Sequence, residues 1–178
     1  TEIFNQINEA KESITIINPY VILSANMKAH LINAGKRGVQ ITIVTTSPTS
    51  TDSKLTQARL IGEWRSILTD IPNLRLYGAL GPIKLHAKSF VFDSQVSIVG
   101  SYNLDLLSEV TNSEFALKID SVEFASELKG FIDDYALNHS LEYDVAKNIG
   151  PHSQPNGQKK FRSMNRLRFL SRIVRPIL

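Results

Sequence analysis

Five polar side chains stand close together near the middle of the chain: His86, Lys88 and Asp93 in LHAKSFVFD, then Ser101 and Asn103 in GSYN. Their spacing is H-x-K-x4-D-x6-G-S-x-N. An imidazole can act as nucleophile or proton carrier near neutral pH. An ammonium gives a fixed positive charge, and short hydroxyl and amide side chains give donors. Displacement at a phosphodiester needs this set: a nucleophile or acid, and donors for the oxygens that gain charge in the transition state. Each residue also has a plainer role. A single histidine on an apolar strand is commonly structural, a single lysine can protect a solvated sheet edge, and Asp93 can be a turn former. Joint spacing turns His86, Lys88 and Asn103 toward chemistry. It does so less for Asp93.

The elements that position these groups can be read from periodicity. His86, Lys88 and Phe90 alternate with Leu85, Ala87, Ser89 and Val91, which predicts a strand with His86 and Lys88 on one face. A turn at Asp93-Ser94-Gln95 leads into the apolar run Val96 to Val99. Gly100 ends that run, where a missing Cβ would let the backbone approach a ligand. Upstream, the pattern predicts a helix around Ile3 to Ala10, a strand at 14–17, a helix at 27–34 stopped by Gly35, and a strand at 39–45. A polar loop at 46–53, a helix at about 55–68 and a strand at 74–77 follow. Downstream come a strand at 115–119 and a helix at 122–137. Alternating helix and strand predicts an α/β layered sandwich with a central mixed sheet flanked by helices.

Composition narrows the class. At 178 residues and 42% hydrophobic content the chain can bury one domain core. It has no cysteine, which excludes a disulfide framework and a thiolate metal site. No metal site and no cofactor is expected. No apolar run reaches the roughly 18 residues needed to span a bilayer, and there is no signal-peptide pattern. The chain opens on Thr1, directly in an amphipathic stretch, as a piece of something longer would. From Pro151 onward there are seven basic and no acidic residues, so the net +3 comes from the tail. Three segments are expected: a catalytic half-domain at 1–149, a linker at 150–158 (GPHSQPNGQ), and a basic amphipathic helix at 159–178. Phe161, Met164, Leu167, Leu170, Val174 and Ile177 form the apolar stripe of that helix, with arginines on its other faces. Such a helix suits an anionic membrane surface; packing on the domain is the plainer reading.

The H-x-K-x4-D-x6-G-S-x-N pattern resembles the signature of the phospholipase D superfamily. SITIINPY (13–20), KRGVQITIVT (36–45), TSPTSTD (46–52) and GSYNLDLLS (100–108) followed by NSE (112–114) are similar to the second half of its cardiolipin-synthase-type members. Leu107 stands where those members usually have arginine. The resemblance implies an active site built from two H-x-K motifs, of which this chain has one. One histidine attacks phosphorus to give a phosphohistidine, and the other protonates the leaving alkoxide and then activates water or an alcohol. Lysines and asparagines hold the phosphoryl oxygens, and no metal is required. His86, on a second-half motif, resembles the acid/base; in a homodimer it would play both roles. The resemblance also makes Glu114 a candidate to orient the His86 ring. It makes Asp93 a support for the motif, Ser101 and Gly100 phosphate-site residues, and Tyr20, Ser47 and Asp52 candidates for the pocket lining. His30, His139 and His152 are read as surface or helix histidines.

The leading expectation is therefore half of a phospholipase D or phosphatidyltransferase. Its partners would be an anionic phospholipid, the other H-x-K half or a second copy of this chain, and a bacterial membrane surface held peripherally through 159–178. The alternative is a homodimeric, one-motif nuclease of the same superfamily, the only reading with nucleic acid as partner. A non-catalytic interaction domain is disfavoured by the intact His, Lys and Asn.

Overall fold

The computed structural model describes residues 2–81 and 84–173, with side chains described through residue 170. Its elements in order are α1 (Glu2–Glu9), β1 (Ser13–Ile17), α2 (Ala25–Lys36), β2 (Gln40–Thr45), α3 (Lys54–Asp70), β3 (Leu74–Ala79), β4 (Ser89–Phe92) and β5 (Val96–Gly100). Then follow α4 (Leu106–Val110), β6 (Ala116–Asp120), α5 (Val122–His139), β7 (Ser140–Glu142), a 3-10 turn at Pro151–Ser153, α6 (Gln158–Arg166) and α7 (Arg168–Ile173).

The strands form one seven-stranded sheet in the order β6-β5-β4-β1-β2-β3-β7. β1, β2 and β3 run parallel, while β4, β5, β6 and β7 each join antiparallel. The mixed sheet flanked by helices is the expected α/β sandwich. Strand alternation sorts the core into two layers. Ile14 and Ile16, Ile41 and Ile43, Phe90 and Phe92 join Leu31, Leu60 and Trp64 of α2 and α3 on one face. Ile17, Val44 and Val91 point the other way, onto Ala125, Ile132 and Ala136 of α5.

The helix boundaries have local causes. Ser24, Ser53, Asp105 and Ser121 are N-caps whose side chains accept from backbone N–H groups three residues on. α2 does not stop at Gly35. A Cβ on Gly35 would run into the backbone of Pro72, so that glycine serves close packing, and Gly38, at φ 94°, takes the turn out of the helix.

The tail differs from a single free helix. The chain turns at Leu167 between α6 and α7, and both pack on α3. Met164 is buried against Ala58 and Ile61, with Phe161 and Leu167 beside it. Phe169 and Leu170 remain 74% and 52% exposed. Val174 and Ile177 of the expected stripe lie outside the described residues. Ahead of α6, in the expected linker, Gly150 lies against the Trp64 ring, Pro151 is buried, and the fully buried Gln154 donates to the Gly78 carbonyl at 3.1 Å. No helix of the described residues is long and apolar enough to cross a membrane.

Candidate active site

The candidate residues gather at one end of the sheet, where parallel β1 and β2 finish. In open α/β sheets this end is where ligands bind. Tyr20 follows β1, Asp52 follows β2, His86 and Lys88 precede β4, Ser101 and Asn103 follow β5, and Glu114 precedes β6. His86 and Lys88 were expected inside a strand. They lie in an irregular segment instead, and the strand starts only at Ser89, paired with Ile17. The Gly100 N–H still donates to the Lys88 carbonyl at 3.2 Å. This bond sets GSYN opposite the H-x-K segment.

His86 is exposed, its side chain 61% accessible. Its Nδ1 lies 3.4 Å from Asp52 Oδ2, and the other oxygen of that carboxylate accepts from the Tyr20 hydroxyl at 2.8 Å. The Tyr20 ring meets the His86 ring edge-on, centroids 6.3 Å apart. Burial first, and the bond to Asp52 second, push the Tyr20 hydroxyl up to about 12, so it stays a proton donor. With Nδ1 turned to a carboxylate, Nε2 is the nitrogen that faces outward. Lys88 Nζ donates to the His86 backbone carbonyl at 3.0 Å, which ties the ammonium to the H-x-K segment. Burial lowers the pKa of Lys88, opposed by the charges of Asp52, Glu114 and Asp105. One ammonium thus stands among three carboxylates.

Three expected roles change. The carboxylate at the His86 ring is Asp52, not Glu114. Glu114 accepts from Ser101 Oγ, from Ser108 Oγ at 2.7 Å and from Asn112 at 3.3 Å. Partial burial pushes the Glu114 carboxyl up, but these bonds and the Lys88 charge outweigh it and the net shift is downward. Glu114 therefore ties Ser101 to the α4 loop. Gly100 makes room for the protein and not for a ligand: a Cβ there would collide with the Phe115 carbonyl and come within 2.8 Å of the Ala116 Cα. Ser47 does not line the site. It is fully buried and donates to the Ala79 carbonyl at 2.6 Å, closing the loop after β2. Asp93 sits at the far end of β4, about 13 Å of strand away. Its carboxylate accepts from the backbone N–H groups of Lys11, Glu12 and Ser13, each at 2.9 Å. Burial raises its pKa, the three backbone bonds lower it, and the balance is downward. It clamps the α1–β1 turn, away from His86 and Lys88.

The Asn103 side chain makes no hydrogen bond among the described residues, and its Oδ1 is buried without a partner. An amide left unused in this way is common where a ligand completes the bonding. Its backbone is well held: its N–H donates to Ser108 Oγ at 3.2 Å. The loop around it hangs on Asn18, a residue not anticipated from the motif. Asn18 is fully buried; it donates to the Tyr102 carbonyl at 3.0 Å and accepts from the Leu104 N–H at 3.2 Å. The sequence signal was its place at the end of a buried strand, directly before Pro19. His30 stacks on Phe4, His139 lies by Tyr135, and His152 packs against Trp64, all away from the site. Among the described residues no cluster of three or more His, Asp or Glu could hold a metal ion.

Residues 3–135 match the family model described as cardiolipin synthase, PLD-like domain. Cardiolipin synthase A of Yersinia pseudotuberculosis serotype O:1b (strain IP 31758) is 32% identical over 136 residues, which is 74% of this chain and 26% of that protein. The chain thus spans about a quarter of the length of such relatives. Among solved structures, the phospholipase D family member Nuc from Salmonella typhimurium superposes with a TM-score of 0.66 at 25% identity, covering 81% of this chain and 90% of that one. Phosphatidylserine synthase from Haemophilus influenzae Rd KW20 shares the fold at TM-score 0.68 and 15% identity, over 99% of this chain and 44% of that one. With three quarters of the sequence matched and His86, Lys88, Ser101 and Asn103 gathered at one sheet end, the chain belongs to the family of cardiolipin synthase, PLD-like domains.

Proposed function

We propose that this chain supplies one half of a phosphodiester-transfer site acting on anionic phospholipids. The observation that carries the reading is the exposed His86 imidazole, with Asp52 at its Nδ1 and the Lys88 ammonium on the His86 backbone carbonyl, at a site with no second imidazole among the described residues. In the proposed reaction a histidine of the other half attacks phosphorus. A P–N bond forms as the P–O bond to the leaving alkoxide breaks, and His86 Nε2 protonates that alkoxide. His86 then takes the proton of a water or alcohol, whose oxygen attacks phosphorus while the P–N bond breaks. Lys88 and Asn103 hold the phosphoryl oxygens. Asp52 stabilises the imidazolium that His86 becomes, and Tyr20 fixes the carboxylate.

The surface offers a place for the missing half. β6 is a sheet edge; Leu117 on it and Phe115 just before it are 53% and 72% exposed, and Phe131 on α5 is 60% exposed. Apolar groups along an unpaired edge mark a contact surface. This edge starts at Phe115, beside Glu114 and Ser101, so a partner covering it would reach the reacting phosphate. We assign the occupant as the other H-x-K half. A second copy of this chain is the homodimer variant; Nuc, 90% of which this chain covers, is a family member of about this size. Contact with a bacterial membrane surface, through the exposed Phe169 and Leu170 and the basic tail, completes the reading.

The test is His86→Asn in the assembled protein, with phosphatidylglycerol vesicles as substrate. Turnover should fall by about two to four orders of magnitude, the usual loss when a general acid is removed, while the melting curve stays put. Wild-type enzyme quenched in detergent at alkaline pH should carry a phosphohistidine on the other half, or on His86 itself in a symmetric dimer. A turnover-competent assembly without phosphohistidine would refute the mechanism. Faster cleavage of DNA than of phosphatidylglycerol would move the substrate to nucleic acid.

A further inference from the structure

A cavity of about 320 Å³ lies between the start of α1, the β5–β6 edge and α4. Ala116 and Lys118 line it, and alternation along β6 turns them away from the exposed Leu117. Ile3 and Ile98 give the cavity an apolar wall, and Glu109 and Glu114 an acidic one. Glu114 is the carboxylate that ties Ser101, so the cavity backs onto the GSYN loop.

The acidic wall is unbalanced. Lys118 is taken up by Glu2 at 3.1 Å and by Asp120 at 3.5 Å. Glu109 accepts from Ser24 Oγ and, at 3.2 Å, from Asn26, while Glu114 accepts from two hydroxyls and an amide. All of these donors are neutral. Among the described residues no cation lies within ion-pair distance of Glu109 or Glu114.

Tyr102 gives a separate sign of a ligand. It stands in the cavity wall, only 5% exposed, and its hydroxyl makes no hydrogen bond among the described residues. A buried tyrosine hydroxyl usually finds a partner. Burial first, and then the charges of Glu109, Asp105 and Glu114, push its pKa up, so it stays a neutral phenol beside carboxylates to which it does not donate. Among the described residues no group of three carboxylates or imidazoles could hold a metal ion. An alkylammonium fits the walls better. Its three N–H donors find open acceptors in Glu109 and the Tyr102 oxygen and a counter-charge in Glu114, and its aliphatic stem has Ile3 and Ile98 to lie on. A phosphate on the same molecule would be repelled by these carboxylates.

We propose that this cavity binds a small, phosphate-free organic amine through its ammonium group, and that Glu114 carries the effect of occupancy to Ser101. Neither the cavity nor Tyr102 has a part in the phosphoryl-transfer reading.

The test uses the whole chain, with the Ile3 and Ile98 methyl signals and the Ser101 amide followed by NMR. The probes are n-butylammonium, n-butanol, magnesium ion and phosphoethanolamine. n-Butylammonium should shift both methyl signals and the Ser101 amide. Tyr102→Phe removes only a hydroxyl without a partner; it should melt with wild type yet bind n-butylammonium about fivefold more weakly, equivalent to roughly 1 kcal/mol. Glu109→Gln should weaken binding about tenfold, equivalent to roughly 1.4 kcal/mol. Unmoved methyl signals, or unchanged affinity in both variants, would overturn the proposal. Equal binding of n-butanol would show that the charge is not recognised, and tighter binding of magnesium would replace the amine by a metal ion; either overturns it. Tighter binding of phosphoethanolamine than of n-butylammonium would overturn the phosphate-free assignment. Shifted methyl signals with an unmoved Ser101 amide would overturn the link through Glu114.

Discussion

Asp93 belongs to the motif by spacing and to the scaffold by contact, and its replacement separates the two. Its carboxylate holds three backbone N–H groups at 2.9 Å, with Oδ1 taking Glu12 and Ser13 and Oδ2 taking Lys11. It also sits at φ 53°, as does Ser94, in the tight turn between β4 and β5. Hydrogen bonds to a charged group contribute about 1.5–3 kcal/mol each when buried. Here they are partly exposed and water replaces them in part, so roughly 2 kcal/mol for the set is a fair figure. Asp93→Ala adds the cost of a left-handed backbone without a short polar side chain, about 1 kcal/mol. The sum, about 3 kcal/mol, should lower the melting temperature by roughly 6–12 °C in a chain of this size. Asp93→Asn keeps an oxygen for Glu12 and Ser13 and tolerates the turn, so about 1 kcal/mol is expected.

The acid dependence follows from the sign of the shift. The folded pKa of Asp93 is depressed below its unfolded value of about 3.9. Its contribution is fully present above that unfolded value and is lost as pH falls through the folded one. Urea titrations at about pH 7 and about pH 3 should therefore show the gap between wild type and Asp93→Asn narrowing in acid. Turnover per folded molecule should survive in Asp93→Asn. If Asp93→Ala melts with wild type, or if well-folded Asp93→Asn loses turnover as far as His86→Asn does, the clamp reading is refuted.

Other perturbations address the rest of the site. Gly100→Ala sets a Cβ against the Phe115 carbonyl and should cost about 2–3 kcal/mol; amide exchange in β6 should speed up more than in β1, and uniform protection would contradict the packing account. Asp52→Asn should lower turnover about fivefold, the equivalent of roughly 1 kcal/mol for an exposed ion pair. Adding Tyr20→Phe should cost less than it does alone, and strictly additive losses would uncouple Tyr20 from Asp52. Met164→Ala should destabilise by about 2–3 kcal/mol because it empties the contact between α6 and α3; an unchanged urea midpoint would show the tail undocked. Phe169→Ser/Leu170→Ser should weaken binding to phosphatidylglycerol vesicles in co-sedimentation without lowering stability, and equal sedimentation would remove those residues from the membrane contact.

Most of the fold was legible because its core strands are apolar runs with sharp ends. The segments 14–17 and 39–45 carry enough β-branched side chains to leave little choice of element. What escaped has tertiary causes. β7 is three residues long and exists because it pairs with β3, where Arg75 Nε meets Glu142 at 2.9 Å. α4 is a five-residue helix set by the Asp105 cap. The stretch from Gly150 reads as a linker by composition. Its glycine and proline instead allow close packing on Trp64, a contact that composition does not encode.

The site was legible in the same uneven way. The types and spacing of His86, Lys88, Ser101 and Asn103 fix which groups the hairpin between β4 and β5 can present, because register within one hairpin is a local matter. Which carboxylate faces the imidazole is not local. Glu114 is nearer His86 along the chain, just before the strand beside β5, but three hydroxyl and amide donors already surround it. Asp52 is 34 residues away in sequence, on the loop that parallel pairing of β1 and β2 carries to the same sheet end. A carboxylate already saturated by donors loses little by being left where it is, and one with a single phenol partner has an oxygen to give. That difference in remaining hydrogen-bond capacity favours Asp52 at Nδ1, and it leaves Nε2 open on the side where the other half is proposed to bind.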